Sequence, residues 1–265
     1  MPFAHRDGAD LYWESTGEGP PLILAAGLGG VMGYWQPNRA VLEKHFTLYL
    51  FDQRGTGKSS RIPVESIEQM SADLVAVMDA AGLKSAHYLG HSTGGAIGVA
   101  TALDYPDRLS SMMIYSSTTH GDPYRHRILG LRSLIHAELG AEAYGKYTSL
   151  LLYPPYWINA NDAALREAEA QAAAQLGEPA VQASRLDAIL AFDRRSELHR
   201  IAIPTLILCA DDDILTPRYF SEEFARHMPA AHTHFVAQGG HALSRTEPDL
   251  FNSLVIDFFS GAAKS

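Results

Sequence analysis

The sequence predicts an α/β fold, a mostly parallel sheet flanked by helices and interrupted once by a helical insertion. Three observations carry this. Short apolar runs alternate with segments of helical spacing through the first 115 residues or so, and the alternation returns after residue 200. Between the two lies a stretch with helical spacing and little strand signal. Strands buried on both faces read as continuous apolar runs, and strand–helix–strand order gives parallel strands joined by right-handed crossovers.

The elements follow in chain order. Pro21–Ala26 is a short apolar run ending in glycines, and Phe46–Phe51 is a second. Ser66–Ala81 has apolar residues at helical spacing (Ile67, Met70, Leu74, Val77, Met78) and stops at Gly82, a C-terminal signal. Ala86–Gly90 is a third strand, Gly94–Asp104 a helix of small residues closed by Tyr105-Pro106, and Leu109–Tyr115 a fourth strand. From Thr118 to Arg200 helical stretches dominate, including Arg125–Leu139, the Ala-rich Asp162–Leu176 and Ala180–Leu190. A strand at Pro204–Cys209, a helix at Tyr219–His227, a strand at Thr233–Val236 and a helix at Pro248–Phe259 complete the chain. The expected division is a core of residues 1–117 and 201–265 with a cap of residues 118–200. Insertions at the carboxyl edge of such a sheet tend to cover the ligand crevice.

Composition narrows the function classes. The 265 residues are 46% hydrophobic and 19% charged, enough apolar surface for a large core. The formal charge is −9 with no basic block, which argues against nucleic acid and anionic membrane surfaces, since both recognise clustered Lys and Arg. The lone cysteine, Cys209, excludes an intrachain disulfide and a multi-cysteine zinc site. The first residues lack the charged-then-apolar pattern of a secretory signal, and no run approaches ~18 uninterrupted apolar residues. The expectation is a soluble, cytoplasmic protein acting on a small molecule, and the sequence leaves its oligomeric state open.

The strongest local signal is Gly90-His91-Ser92-Thr93-Gly94, which fits G-x-S-x-G and has a strand before it and a small-residue helix after it. A tight strand-to-helix turn exposes the serine oxygen and aims the first amides of the helix at a developing oxyanion. The competing reading is a glycine-rich turn with a surface serine. A serine needs a base, itself oriented by a third group. Of 12 histidines, His241 sits after the last strand, on the same sheet edge as Ser92; His5, His45 and His87 read as packing or surface residues. His232 and His234 share a strand face, yet no cysteine or carboxylate beside them completes a metal set. Asp211-Asp212-Asp213 follows another strand at that edge, and only one of three successive residues can point at the imidazole. The spacing leaves open which.

These residues resemble the α/β-hydrolase superfamily with a helical cap, over nearly the whole chain. The resemblance implies an eight-stranded sheet, no metal or organic cofactor, and Ser92, Asp213 and His241 as the catalytic residues. Asp213 is implied because the Asp-x-x-x-Pro part of the family's acid-loop pattern lands on it with Pro217, while Asp122, beyond the fourth strand, matches the place some relatives use. Ala26-Gly27-Leu28-Gly29 resembles the family's oxyanion loop, which implies the amide of Leu28 paired with that of Thr93. Here Ala26 replaces the usual histidine. Gly27–Gly30, Tyr34-Trp35, Asp52–Gly57 and Leu152–Pro154 with Trp157 are similar to the aminoacrylate or carbamate hydrolases of pyrimidine utilisation and to the enol-lactone hydrolases. Some members of the first group lack the serine that Ser92 supplies here, which favours ordinary cleavage of a small ester or lactone over a C–N substrate. Gly29, Tyr34, Trp35, Tyr124, Arg125, Tyr153 and Trp157 are the expected pocket residues; Tyr156 and Arg127 lie in the same cap segment. The competing classes are a non-catalytic binding module on the same fold and a P-loop at Gly55–Ser59. The P-loop reading lacks the first glycine, where Asp52 stands, and Arg61-Ile62-Pro63 delays any helix.

Overall fold

A computed structural model describes residues 2–262. Eight strands form one sheet: β1 (Phe3–Arg6), β2 (Ala9–Thr16), β3 (Pro21–Ala25), β4 (Thr47–Phe51), β5 (Ala86–His91), β6 (Leu109–Tyr115), β7 (Thr205–Ala210) and β8 (Ala231–Val236). Their spatial order is β1-β2-β4-β3-β5-β6-β7-β8. The hairpin β1–β2 and the pair β2–β4 are antiparallel, and the other five pairings are parallel. The apolar-run reading did not include the β1–β2 hairpin. Its signal was present, because Asp7 and Gly8 both have positive φ, the requirement of a two-residue type I′ turn that Asp-Gly satisfies.

The helices outside the insertion are α1 (Gln36–Leu42), α2 (Ile67–Ala80), α3 (Thr93–Asp104), α7 (Arg218–His227), α8 (Leu243–Thr246) and α9 (Pro248–Ala262). The α2 helix starts at Ser66, whose hydroxyl accepts the amide of Gln69, a side-chain cap. Alternation along the strands splits the core into two layers. Ile23, Tyr88, Met112 and Ile114 pack with α2 and α3 on one face. Leu22, Leu24, Leu89, Met113 and Tyr115 pack with Trp35, Phe251, Val255 and Phe259 on the other. Between β6 and β7 lie α4 (Pro123–Leu152), α5 (Pro155–Gln175) and α6 (Pro179–Ala191). The α4 helix breaks at Gly140, whose φ of 82° no ordinary helical residue adopts. No helix among the described residues is long and apolar enough to cross a membrane.

Just after β4, Arg54 reaches under the sheet edge and donates from Nε and one terminal nitrogen to Asp73 of α2, at 2.8 and 2.6 Å. Both side chains are buried. Removing one partner of such a pair leaves a charge with no compensation, at a cost of about 3–5 kcal/mol. Asp73→Asn should therefore lower the urea midpoint sharply; an unchanged midpoint would show that the pair contributes nothing.

Candidate active site

Ser92 joins β5 to α3 with φ of 52° and ψ of −115°, a conformation unfavourable for a residue with a side chain. Its surroundings enforce it. The Ser92 amide donates to the Tyr115 carbonyl at 2.9 Å, and the Ser92 carbonyl accepts from Gly95 at 2.9 Å and from Ser117 Oγ at 2.6 Å. The flanking glycines are sterically required. A Cβ on Gly94 would collide with the Ala25 carbonyl, and one on Gly90 with the Gly94 carbonyl.

Asp213 follows β7 and is 2% exposed. One of its oxygens accepts the amides of Leu215 and Thr216, both at 2.9 Å, and the other accepts the Thr216 hydroxyl at 2.8 Å. That oxygen also lies 2.9 Å from His241 Nδ1. Burial alone would raise the Asp213 pKa, but the facing His241 and the hydrogen bonds from His241 and Thr216 outweigh it and hold the carboxyl below its usual range. A carboxylate only accepts, so Nδ1 of His241 carries the proton, and in the neutral ring Nε2 is bare.

The other two acids of the run have separate tasks. Asp212 accepts the amides of Gly239 and Gly240, bracing the turn before His241, and Asp211 pairs with Arg218 at 3.0 Å. Asp122 caps α4 through the amide of Arg125 and accepts the Tyr219 hydroxyl at 2.5 Å, away from His241.

Ser92 and His241 both line a cavity of about 440 Å³ between the sheet's carboxyl edge and the inserted helices. Among the described residues no hydrogen bond joins their side chains. Such contacts are often long in ligand-free enzymes and tighten on binding. Residues Ala26–Val31 form one wall, with Leu28 at its centre, and Arg132, Thr148 and Leu152 face them from α4. Thr93 opens α3, where the first amides have no partner within the helix.

Of the other expected pocket residues, Gly29 and Tyr34 line this cavity, and five do not. Trp35 is fully buried and stacks on Phe251, because it faces the core side of its turn. Tyr124 is partly exposed and donates to the Ile214 carbonyl. Arg125 is buried and donates to the Leu215 carbonyl, which orders the loop carrying Asp213. Tyr153 and Trp157 stack on each other, with ring centroids 4.4 Å apart. The Gly55–Ser59 turn folds around Asp52, which accepts the Lys58 amide at 2.9 Å, and the next helix waits until Ile67.

Several residues escaped the sequence reading. Thr216 bridges Asp213 and His241, at 2.8 and 3.1 Å. A hydroxyl three residues after a turn aspartate was its available signal. His91 lies between Tyr34 and Tyr115, each ring centroid 4.6 Å away, and donates from Nε2 to the His241 carbonyl at 3.0 Å. Burial and the nearby His241 hold its pKa well below the usual histidine value, so it stays neutral. Tyr115 donates to the same carbonyl at 2.9 Å. Together they fix the backbone of His241.

The sheet order, the strained serine turn and the Asp–His pair at one sheet edge define an α/β hydrolase, and the chain belongs to that family. The family profile described as the alpha/beta hydrolase fold matches residues 20–133. The chain is similar to proteins provisionally named carbamate hydrolase RutD. That of Azorhizobium caulinodans is 41% identical over 259 residues, 97% of this chain and 98% of the relative. That of Caulobacter sp. (strain K31) is 36% identical over 244 residues, 91% of each. Among solved structures, the enol-lactonase from Burkholderia xenovorans LB400 superimposes with a TM-score of 0.90 at 24% identity, covering 98% of this chain and 100% of that one.

Proposed function

We propose that the chain is a serine hydrolase that cleaves a small carboxylic ester or lactone through an acyl-enzyme intermediate, with residues 118–200 as the cap over its site. The observation that carries this is that His241, held through Nδ1 by Asp213, lines the same cavity as Ser92. Ser92 Oγ attacks the substrate carbonyl while His241 Nε2 takes its proton. Asp213 keeps the ring in the required tautomer and stabilises the imidazolium. The amides of Leu28 and Thr93 receive the oxyanion, each donor worth about 3 kcal/mol. Collapse expels the alcohol, which leaves with the proton from His241, and water enters by the same steps in reverse. No metal or organic cofactor takes part.

The cavity walls bear on the substrate. Arg61, Arg132 and Arg245 reach the cavity and no aspartate or glutamate side chain among the described residues does. Arg132 is 5% exposed, donates from Nε to Thr148 at 3.1 Å and lies over the Tyr144 ring. Such a wall suits an acyl compound bearing a carboxylate, of a size that about 440 Å³ holds. A second reading, hydrolysis of a C–N bond in a small carbamate or amide, is favoured by the name of relatives up to 41% identical.

A panel of p-nitrophenyl esters from acetate to octanoate, lactones with and without a carboxylate, and small carbamates or amides separates these. The expected result is turnover of small esters or lactones, faster with the carboxylate and unaffected by chelators. Efficient cleavage of the carbamates alone selects the second reading. Silence throughout, with no labelling of Ser92 by a fluorophosphonate, would leave a binding module.

A further inference from the structure

Arg185 of α6 is completely buried, and every contact it makes through hydrogen bonds is to a neutral oxygen. Its Nε donates to the Leu28 carbonyl at 3.0 Å, one terminal nitrogen to the Arg54 carbonyl at 2.5 Å and the other to Gln53 Oε1 at 2.5 Å. The Gln53 side-chain amide donates in turn to the Ala26 carbonyl at 2.7 Å, and the Gln53 backbone amide to the Gly30 carbonyl at 2.8 Å. Between these two anchors Gly27–Gly30 closes a tight turn, the Gly30 amide donating to the Gly27 carbonyl at 2.9 Å. Gly30 has φ of 68°, and a Cβ there would press on the Arg185 terminal nitrogen at 2.6 Å. No ion pair to Arg185 exists among the described residues, and burial lowers its pKa to about 10. A guanidinium buried without a counter-charge is costly unless its donors are well satisfied. Here they are spent on the turn that carries the Leu28 amide, and the side chain does not reach the cavity wall.

We propose that Arg185 is a positioning residue that fastens the Ala26–Gly30 turn to the inserted helices, so that the Leu28 donor is set only while α6 is docked. It rests, for its catalytic consequence, on the serine-hydrolase reading above. Ala26 offers no ring to brace this turn, and the Arg185–Gln53–Ala26 chain braces it from the other side. Arg185 therefore acts on the oxyanion and not on the ground-state substrate.

The test uses the full-length Arg185→Lys and Gln53→Ala variants, because Lys keeps the charge but cannot span three acceptors. Hydrogen exchange followed by mass spectrometry reports the 26–31 segment without any substrate. The expected result is at least ~10-fold faster exchange of that segment in Arg185→Lys. On the best substrate of the panel, kcat should fall ~10- to 100-fold with KM within about threefold. Gln53→Ala should act in the same direction, and the double variant should lose much less than the product of the two. Unchanged exchange at 26–31 with faster exchange confined to α6 would overturn the proposal. So would a rise in KM with kcat intact, the mark of a substrate-binding arginine. If the wild-type chain turns over nothing, the hydrolase reading fails and the exchange result still decides whether Arg185 holds the turn.

Discussion

Replacing Ser92 with alanine should lower kcat by about 10⁵-fold or more on any substrate the panel identifies, since the members of such a triad act as a unit. The fold should survive. Alanine accepts the same backbone geometry as serine, and the bonds that hold φ at 52° run through the backbone of residue 92 and the hydroxyl of Ser117. Circular dichroism and thermal unfolding should therefore match the parent chain, while a fluorophosphonate probe should no longer attach. KM should change little, because the cavity walls are left in place. Activity within tenfold of wild type would remove Ser92 from the chemistry, whatever its geometry.

Asp213→Asn is expected to cost about 10⁴-fold in kcat. An asparagine amide turned toward Nδ1 donates where the carboxylate accepted, leaves Nδ1 unprotonated and puts the proton on Nε2, where a base must be bare. The neighbouring acids are the internal controls. Asp212→Asn keeps an oxygen for the Gly240 amide, Asp211→Asn breaks only the exposed pair with Arg218, and Asp122→Asn retains a capping side chain for α4. Each should be far milder than Asp213→Asn. A larger loss at Asp122 or Asp212 than at Asp213 would reassign the acid.

Much of this arrangement is legible in the sequence because the relevant signals are local. Apolar runs such as Pro21–Ala26 mark buried strands directly, and Gly90–Gly94 carries a steric reason within five residues, since a Cβ on Gly90 would meet the Gly94 carbonyl. What was not legible depends on contacts distant in sequence. Trp35 looks like a pocket residue beside the loop at Gly27, but its direction is set by Phe251, more than 200 positions away. Tyr153 and Trp157 satisfy each other, which a list of aromatics cannot show. Arg185 had a readable oddity, a cation at i+4 between Val181 and Ile189 on the buried face of α6. Its partners Leu28, Gln53 and Arg54, however, come from the opposite end of the chain. The acid run was undecidable for a related reason, because which aspartate meets His241 depends on how the loop turns after β7.

The placement of the inserted helices also bears on how freely this insertion can be remodelled. The chain between β6 and β7 is about 90 residues long, against about 17 between β5 and β6. Treated as flexible connections, their closure entropies differ by only about 1.5 kcal/mol. Halving the insertion would recover only about 0.6 kcal/mol, and doubling it would lose as little. The two strands it separates still pair in parallel through Met112–Tyr115 and Thr205–Leu208. The length of the insertion is thus nearly neutral for the sheet beneath, and under the cap role proposed above what would hold it to a given size is the shape of the substrate together with the anchor points, such as Arg185, through which it grips the core.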